Sequence, residues 1–178
     1  MSSEKGYLVV TAVGPDRAGI VSDLSSLIHA AAANLEDSRM AVLGGEFALL
    51  LLVSGETTVL ERLEKQLKEQ ESALGLHLMC RPTSGARPRS NVLPYSIRVS
   101  GFDRPGIVQS VTTILARRGI NVSALESRVI NAPHSGTALF VLEADLEIPS
   151  EVALSELRRE LGKRCDDENL DLTLEARG

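Results

Sequence analysis

The chain has 178 residues, a length that accommodates one ordinary domain or two small ones. Hydrophobic residues make up 43% and charged residues 24%, as in globular proteins, and the low aromatic content of 3% predicts an aliphatic core. The net charge of −5 argues against direct binding to DNA or RNA, because a nucleic-acid backbone is bound by a concentrated basic face.

The first half of the chain predicts the element order βαββαβ. Strands are expected at residues 7–13, 35–43, 47–53 and 76–81, and helices beginning near residues 20 and 57. Asp16 is placed to cap the first helix through its carboxylate, and Asn34 to end it in a left-handed conformation. The pair Gly44-Gly45 suits a hairpin between the second and third strands.

The second half of the chain repeats the first. The turn Gly14-Pro-Asp-Arg-Ala-Gly-Ile-Val21 returns 87 residues later as Gly101-Phe-Asp-Arg-Pro-Gly-Ile-Val108, which indicates a duplicated domain. Residues 83–92 are rich in turn formers and predict a linker between domains at residues 1–82 and 93–178. The expected fold is α+β, with two ferredoxin-like domains, each a four-stranded antiparallel sheet with two helices on one face.

The repeated turn is the best candidate for a binding site. Gly19 and Gly106 leave the backbone approachable where a helix begins, and the first amides of a helix lack partners and carry partial positive charge. These amides suit a carboxylate, while Asp16 and Asp103 suit an ammonium group, so a small amino acid fits both. The same residues also occur in an ordinary tight turn with a capping aspartate, and on the residues alone that structural explanation is the simpler one.

Both turns, with the later pairs Asn34-Leu35 and Asn121-Val122, resemble the pattern of ACT domains over nearly all of both halves. The resemblance implies regulatory modules that bind amino acids, commonly where two such domains meet. It also implies ligand contacts from the turn and from the asparagine after the first helix. In this chain the implied ligand-binding residues are Asp16, Arg17, Ala18, Gly19, Ile20 and Asn34, and then Asp103, Arg104, Pro105, Gly106, Ile107 and Asn121.

The two implied sites differ. Pro105 pre-sets a helical φ in its turn, whereas Ala18 does not. The residues after the two asparagines, Leu-Glu-Asp at 35–37 and Val-Ser-Ala at 122–124, also differ. If only one turn binds ligand, Pro105 and the loop at 131–136 favour the second.

A tandem pair of this length is similar to transcriptional repressors of the ACT family that lack a DNA-binding domain and act through a partner activator. The resemblance implies an amino-acid-sensing regulator with glycine or a similar small amino acid as ligand. It further implies a protein partner such as a transcriptional activator, and a homodimer. Two alternatives stay open: a non-catalytic regulatory or interaction subunit of an amino-acid metabolic enzyme, and an ACT pair without ligand.

Neither catalysis nor a cofactor is expected, because GxSxG, HExxH and P-loop motifs are absent from the sequence. His29, His77 and His134 lack metal-ligand spacing, so no metal site is expected. The isolated cysteines Cys80 and Cys165 suggest buried thiols in a reducing cytoplasm. The polar N-terminal residues do not resemble a signal peptide, and the apolar runs are too short to cross a bilayer. Both observations favour a cytoplasmic protein that does not span a membrane.

The first sheet differs from the second in the pattern of its strands. The runs at 7–13 and 47–53 are apolar on both sides, whereas 95–100 alternates apolar and polar residues. A strand that is apolar on both sides is usually covered on both sides. We therefore expect the outer face of the first sheet to be buried, by the other domain or by a second chain.

Overall fold

The computed structural model describes residues 5–85, 90–131 and 136–177. The chain divides into two compact units, residues 1–88 and 89–178. The last strand of the first unit ends at Thr83, and the first strand of the second unit begins at Val92. Residues 86–89 of the expected linker, and residues 132–135 of the loop with His134, lie outside the described residues.

The first unit has the predicted order βαββαβ. Its elements are β1 (Lys5–Pro15), α1 (Ile20–Ala30), β2 (Asn34–Leu43), β3 (Glu46–Glu56), α2 (Thr57–Leu74) and β4 (His77–Thr83). The strands form one antiparallel sheet in the order β2-β3-β1-β4. The turn after β1 therefore leaves the sheet between two neighbouring strands and not at an edge.

The second unit repeats this architecture. Its elements are β5 (Val92–Phe102), α3 (Ile107–Arg117), β6 (Asn121–Asn131), β7 (Ala138–Pro149), α4 (Leu154–Asp167) and β8 (Leu170–Ala176). Its sheet is also antiparallel, in the order β6-β7-β5-β8. The prediction of two ferredoxin-like α+β domains is confirmed.

Each unit has its own aliphatic core between the sheet and its helices. Residues spaced by four along α1 bury one stripe, and alternate residues of β1 bury one face. The buried residues are Ile20, Leu24 and Ile28 on the helix, and Leu8, Val10 and Ala12 on the strand. Each large aliphatic side chain buried in this way contributes roughly 1.5–3 kcal/mol to folding. No helix in the described part of the chain is long and apolar enough to cross a membrane.

The first helix of each unit begins at a glycine. Gly19 (φ 95°) and Gly106 (φ 96°) occupy the N-cap positions, and neither N-cap has a side-chain hydrogen bond. The prediction that Asp16 caps α1 is therefore wrong, since the left-handed turn at Gly19 moves the N-cap three residues beyond it. The left-handed residue after α1 is Ala32 (φ 61°), and the predicted Asn34 is instead the first residue of β2.

The outer faces of the two sheets differ in chemistry. Leu50 and Met79 project from the first sheet and are 47% and 63% exposed. On the second sheet, Arg98 and Glu143 lie opposite each other in the register and form an ion pair. The outer face of the first sheet is apolar along β1 and β3, as expected, but on β2 the ion pair of Asp37 and Arg39 lies beside Leu52 and Leu50. The burial of this face by another domain or chain stays a prediction.

Candidate functional site

Close packing determines where each turn leaves its sheet. A Cβ atom on Gly14 would lie 2.7 Å from the carbonyl oxygen of Gly75, at the end of α2. A Cβ atom on Gly101 would lie 2.5 Å from Cδ2 of Leu170, just beyond α4. Real Cβ atoms do not approach other atoms so closely, so only glycine allows the strand to pass this close to the connection between the second helix and the last strand.

The hairpin of each unit holds its turn from the other side. The amide of Asp16 donates to the carbonyl of Gly45 at 3.0 Å, and the amide of Asp103 donates to the carbonyl of Ala138 at 3.2 Å. The turns are thus fixed by corresponding contacts in the two units.

The helix after each turn presents backbone donors. The first helical hydrogen bond of α1 joins the amide of Asp23 to the carbonyl of Gly19 at 2.9 Å, and that of α3 joins Ser110 to Gly106 at 2.9 Å. The amides of residues 20–22 and 107–109 therefore have no acceptor within their helices. A helix N-terminus also carries partial positive charge, and these amides together favour a carboxylate.

The side chains of the predicted site residues divide into two groups. Asp16 and Asp103 are exposed beside the helix N-termini, as are Ala18 and Pro105. Ile20 and Ile107 are each only 2% exposed and belong to the cores, so they can offer only their backbone to a ligand.

Both arginines of the motif contact the protein itself. Arg17 Nη2 donates to Asp23 Oδ2 at 2.9 Å and to the carbonyl of Leu74 at 3.3 Å. Arg104 Nη2 donates to Glu168 Oε2 at 2.6 Å and to the carbonyl of the same residue at 3.0 Å. Each guanidinium is therefore directed at the end of the second helix of its unit.

The predicted asparagines lie far from the turns. Asn34 pairs with Ser54 at one end of β3, whereas Pro15, which enters the turn, pairs with Glu46 at the other end. Eight residue steps along a strand correspond to about 27 Å. The second unit has the same separation, since Asn121 pairs with Glu147 while Phe102, which enters the turn, pairs with Leu139 near the start of β7. The structure does not bring the turn and the asparagine of one unit together.

Each asparagine instead lies beside a carboxylate that the sequence interpretation missed. Asn121 Nδ2 donates to Glu147 Oε2 at 2.8 Å. In the first unit, hydrogen bonds to Glu36 from Ser54 Oγ (2.5 Å), Lys5 Nζ (3.1 Å) and Asn34 hold the pKa of Glu36 at about 2. Asn34, Glu36 and Lys5 line a surface cavity of about 360 Å³. The pairing register of the hairpin was the signal that could have placed Ser54 and Glu147 opposite the asparagines.

The described residues offer neither a metal site nor a reactive cysteine. Within 5–85, 90–131 and 136–177, no three His, Cys, Asp or Glu side chains are placed to hold a metal ion. Burial raises the pKa of both cysteine thiols, Cys80 and Cys165, to about 11. Because a thiolate is the reactive form, both cysteines are poor nucleophiles near neutral pH.

Comparison with known proteins gives consistent matches. Residues 6–81 and 95–162 match family models of the ACT domain. The chain is 29% identical over 169 residues to the glycine cleavage system transcriptional repressor of Escherichia coli (strain K12), covering 94% of this chain and 88% of that protein. A crystal structure of an unknown protein from Galdieria sulphuraria has 34% identity and a TM-score of 0.83, covering 98% of this chain and all (100%) of that one. A second crystal structure, provisionally assigned as a glycine cleavage system transcriptional repressor, has 28% identity and a TM-score of 0.75, covering 98% and 99% of the two chains.

Proposed function

The chain belongs to the ACT-domain family, a regulatory family, and on that premise we propose that it is a cytoplasmic sensor of a small amino acid. The observation that carries the proposal is the repeated turn, which places unpaired helix amides beside an exposed aspartate in both units. The amides would bind the carboxylate of the ligand, and Asp16 or Asp103 would bind its ammonium group.

The ligand is a small amino acid such as glycine. Gly19 and Gly106 leave the backbone open at the helix N-terminus, and Ala18 and Pro105 are the only side chains between aspartate and glycine besides the arginines. Because both arginines are directed at helix ends, the turn offers a ligand its backbone amides and the aspartate carboxylate. That arrangement favours glycine or an amino acid with a similarly small side chain.

Ligand contact by both the turn and the asparagine requires two ACT domains. Within one domain the turn and the asparagine are about 27 Å apart, which is several times the length of a small amino acid. An asparagine that contacts ligand at a given turn must therefore come from another ACT domain. The other ACT domain of this chain and a second copy of the chain are the two possible sources, and we propose the second copy, in a homodimer.

Regulation would act through a protein partner. The relative from Escherichia coli is a transcriptional repressor, and the net charge of −5 gives this chain no overall attraction to DNA. We propose that ligand favours one arrangement of the domains and so changes the surface offered to a partner such as a transcriptional activator. This requires ligand to bind the two arrangements with unequal affinity.

Calorimetric titration of the full chain with glycine tests the sensing step. Glycine has five non-hydrogen atoms, so its binding free energy is limited to about −7.5 kcal/mol, a Kd of about 3 µM or weaker, and the titration must reach the millimolar range. Glycinamide and N-acetylglycine are matched controls, because each lacks one of the two charges. We expect heat from glycine and little from either control. Absence of heat from glycine, serine and alanine up to about 10 mM would remove the sensing proposal.

Partner capture and a DNA shift assay test the regulatory step. A tagged chain should recover a transcription factor, with a yield that changes when glycine is added. Purified chain alone should not shift promoter DNA. Recovery of an amino-acid metabolic enzyme instead would favour a regulatory subunit, and a shift of DNA by the chain alone would contradict action through a partner.

A further inference from the structure

The two motif arginines make corresponding contacts in the two units. In the registers of the sheets, Val13 pairs with His77 and Ser100 pairs with Asp171. Counting back three residues from these partners makes Leu74 the counterpart of Glu168. Arg17 and Arg104 donate to the backbone carbonyls of these two residues, at 3.3 and 3.0 Å. The carbonyls at a helix C-terminus lack helical partners and carry partial negative charge, so a guanidinium is a suitable partner for them.

The carboxylate that completes each arginine contact comes from a different place. In the first unit it is Asp23 on α1, at 2.9 Å from Arg17. The corresponding residue of α3 is Ser110, since the amides of Asp23 and Ser110 both donate to the N-cap glycine. The acid of the second unit is Glu168, at the end of α4 and 2.6 Å from Arg104. Both units therefore have the ion pair, but its carboxylate lies on α1 in the first unit and at the end of α4 in the second.

The contact of Arg104 with Glu168 restricts its turn more than the contact of Arg17 with Asp23 does. Glu168 also pairs with Arg164 at 2.6 Å and lies 3.3 Å from Ser110 Oγ, so it joins the turn to both α3 and α4. Its side chain is 13% exposed, whereas that of Asp23 is 44% exposed. Charged hydrogen bonds that are shielded from water are stronger than exposed ones, and Glu168 offers both of its oxygens.

We propose that Arg17 and Arg104 are positioning residues that hold their turns against the end of the second helix, and that Glu168 makes the second turn the better ordered of the two. The arginines then act on a ligand through the turn and do not contact it. This inference rests on the proposed function only in its second consequence, which is tighter ligand binding at the second turn. Its first consequence, a more rigid backbone at residues 103–109, holds with or without ligand.

Amide hydrogen exchange of the full chain without ligand tests the first consequence. The variant is Glu168→Gln, which keeps the shape of the side chain and removes its charge. The control is Glu160→Gln, because Glu160 is also on α4 and pairs with arginines of the α3 end, Arg117 and Arg118, away from the turn. We expect exchange of the hydrogen-bonded amides of Asp103 and Ser110 to be about tenfold faster in Glu168→Gln and unchanged in Glu160→Gln. Equal exchange in both variants, or acceleration spread over the whole second unit, would overturn the proposal.

Grafting the second contact onto the first unit gives an independent test. The double variant Asp23→Ser, Leu74→Glu places a serine and a glutamate at the positions that correspond to Ser110 and Glu168. Its control is Asp23→Ser, Leu74→Gln, which loses the same packing of Leu74 against the first core. We expect slower exchange of the amides of residues 16 and 23 in the glutamate variant than in the glutamine variant, and equal exchange contradicts the assignment of Glu168.

Glycine titrations of the same variants test the second consequence. We expect Glu168→Gln to weaken binding about tenfold and Glu160→Gln to leave it unchanged. If glycine fails to bind the unmodified chain while the exchange results hold, the proposed function fails and the positioning role stands. If Glu168→Gln accelerates exchange but binds glycine as the unmodified chain does, turn order does not set affinity and the second consequence is refuted.

Discussion

Substitution of Gly101 by alanine tests whether the turn depends on close packing against the end of α4. The added Cβ would lie 2.5 Å from Leu170 Cδ2 and 3.0 Å from the carbonyl oxygen of Asn169. The leucine methyl group can rotate away but the backbone oxygen cannot, so β5 must shift. Overpacking of this kind destabilises a protein by about 1–3 kcal/mol. Since a small unit unfolds with a urea dependence of about 1–2 kcal/mol per molar, we expect the unfolding midpoint to fall by about 0.5–3 M.

The assay is thiol alkylation across a urea series, read by mass spectrometry. Cys165 lies in the core of the second unit and Cys80 packs against that of the first, so each reports on its own unit. Gly101→Ala should lower the midpoint at Cys165 and leave that at Cys80 unchanged. The control is Gly162→Ala within α4, where a Cβ has no neighbour within 4 Å and alanine should stabilise the helix by about 0.5–1 kcal/mol. A Gly101→Ala variant as stable as the unmodified chain would refute the reasoning.

Two further predictions concern the first unit. Ala32 has a φ of 61° where its counterpart, Gly119, has 67°, so Ala32→Gly should relieve strain and stabilise the unit by about 1 kcal/mol, measured by the same alkylation assay at Cys80. A lower midpoint for this variant would contradict that account. Ser54, then Lys5 and Asn34, hold the pKa of Glu36 at about 2 against an ordinary 4.5, so this carboxylate stabilises the fold above about pH 4.5 and the stabilisation is lost as the pH falls towards 2. Urea midpoints of Glu36→Gln should therefore lie below those of the unmodified chain at pH 6 and converge with them near pH 2, and a constant difference across this range would count against the assignment.

The fold could be predicted from the sequence because its signals are repeated and local. Strand and helix periodicities fall in the same order around Gly14–Val21 and Gly101–Val108, so each half supports the interpretation of the other. The helix starts near residues 20 and 57 were predicted correctly, but the capping residue of α1 was misassigned, for a local reason as well. Aspartate is a favoured N-cap, but the left-handed backbone at Gly19 and Gly106 lets the chain turn once more before the helix begins.

The site was predicted less completely because its parts depend on topology. An eleven-residue helix runs back along the sheet after each turn, so the strand that follows begins at the end far from the turn. The asparagines Asn34 and Asn121 are therefore close to the turns in sequence and distant in space. The arginine contacts are close in space but distant in sequence, since Arg17 and Leu74 are 57 residues apart and Arg104 and Glu168 are 64 residues apart. No local pattern reports such pairs, and they emerged only from the packing of the second helix against the turn.

The central claim is that backbone amides at the start of α1 and α3 bind the carboxylate of a small amino acid. Amide chemical shifts of the ¹⁵N-labelled full chain, followed during titration with glycine, test it most directly. We predict that the largest saturable shifts occur at residues 103–109, with smaller or weaker ones at 16–22, and that glycinamide causes neither. Saturable glycine-induced shifts confined to other residues, or no shifts up to about 10 mM, would contradict the claim.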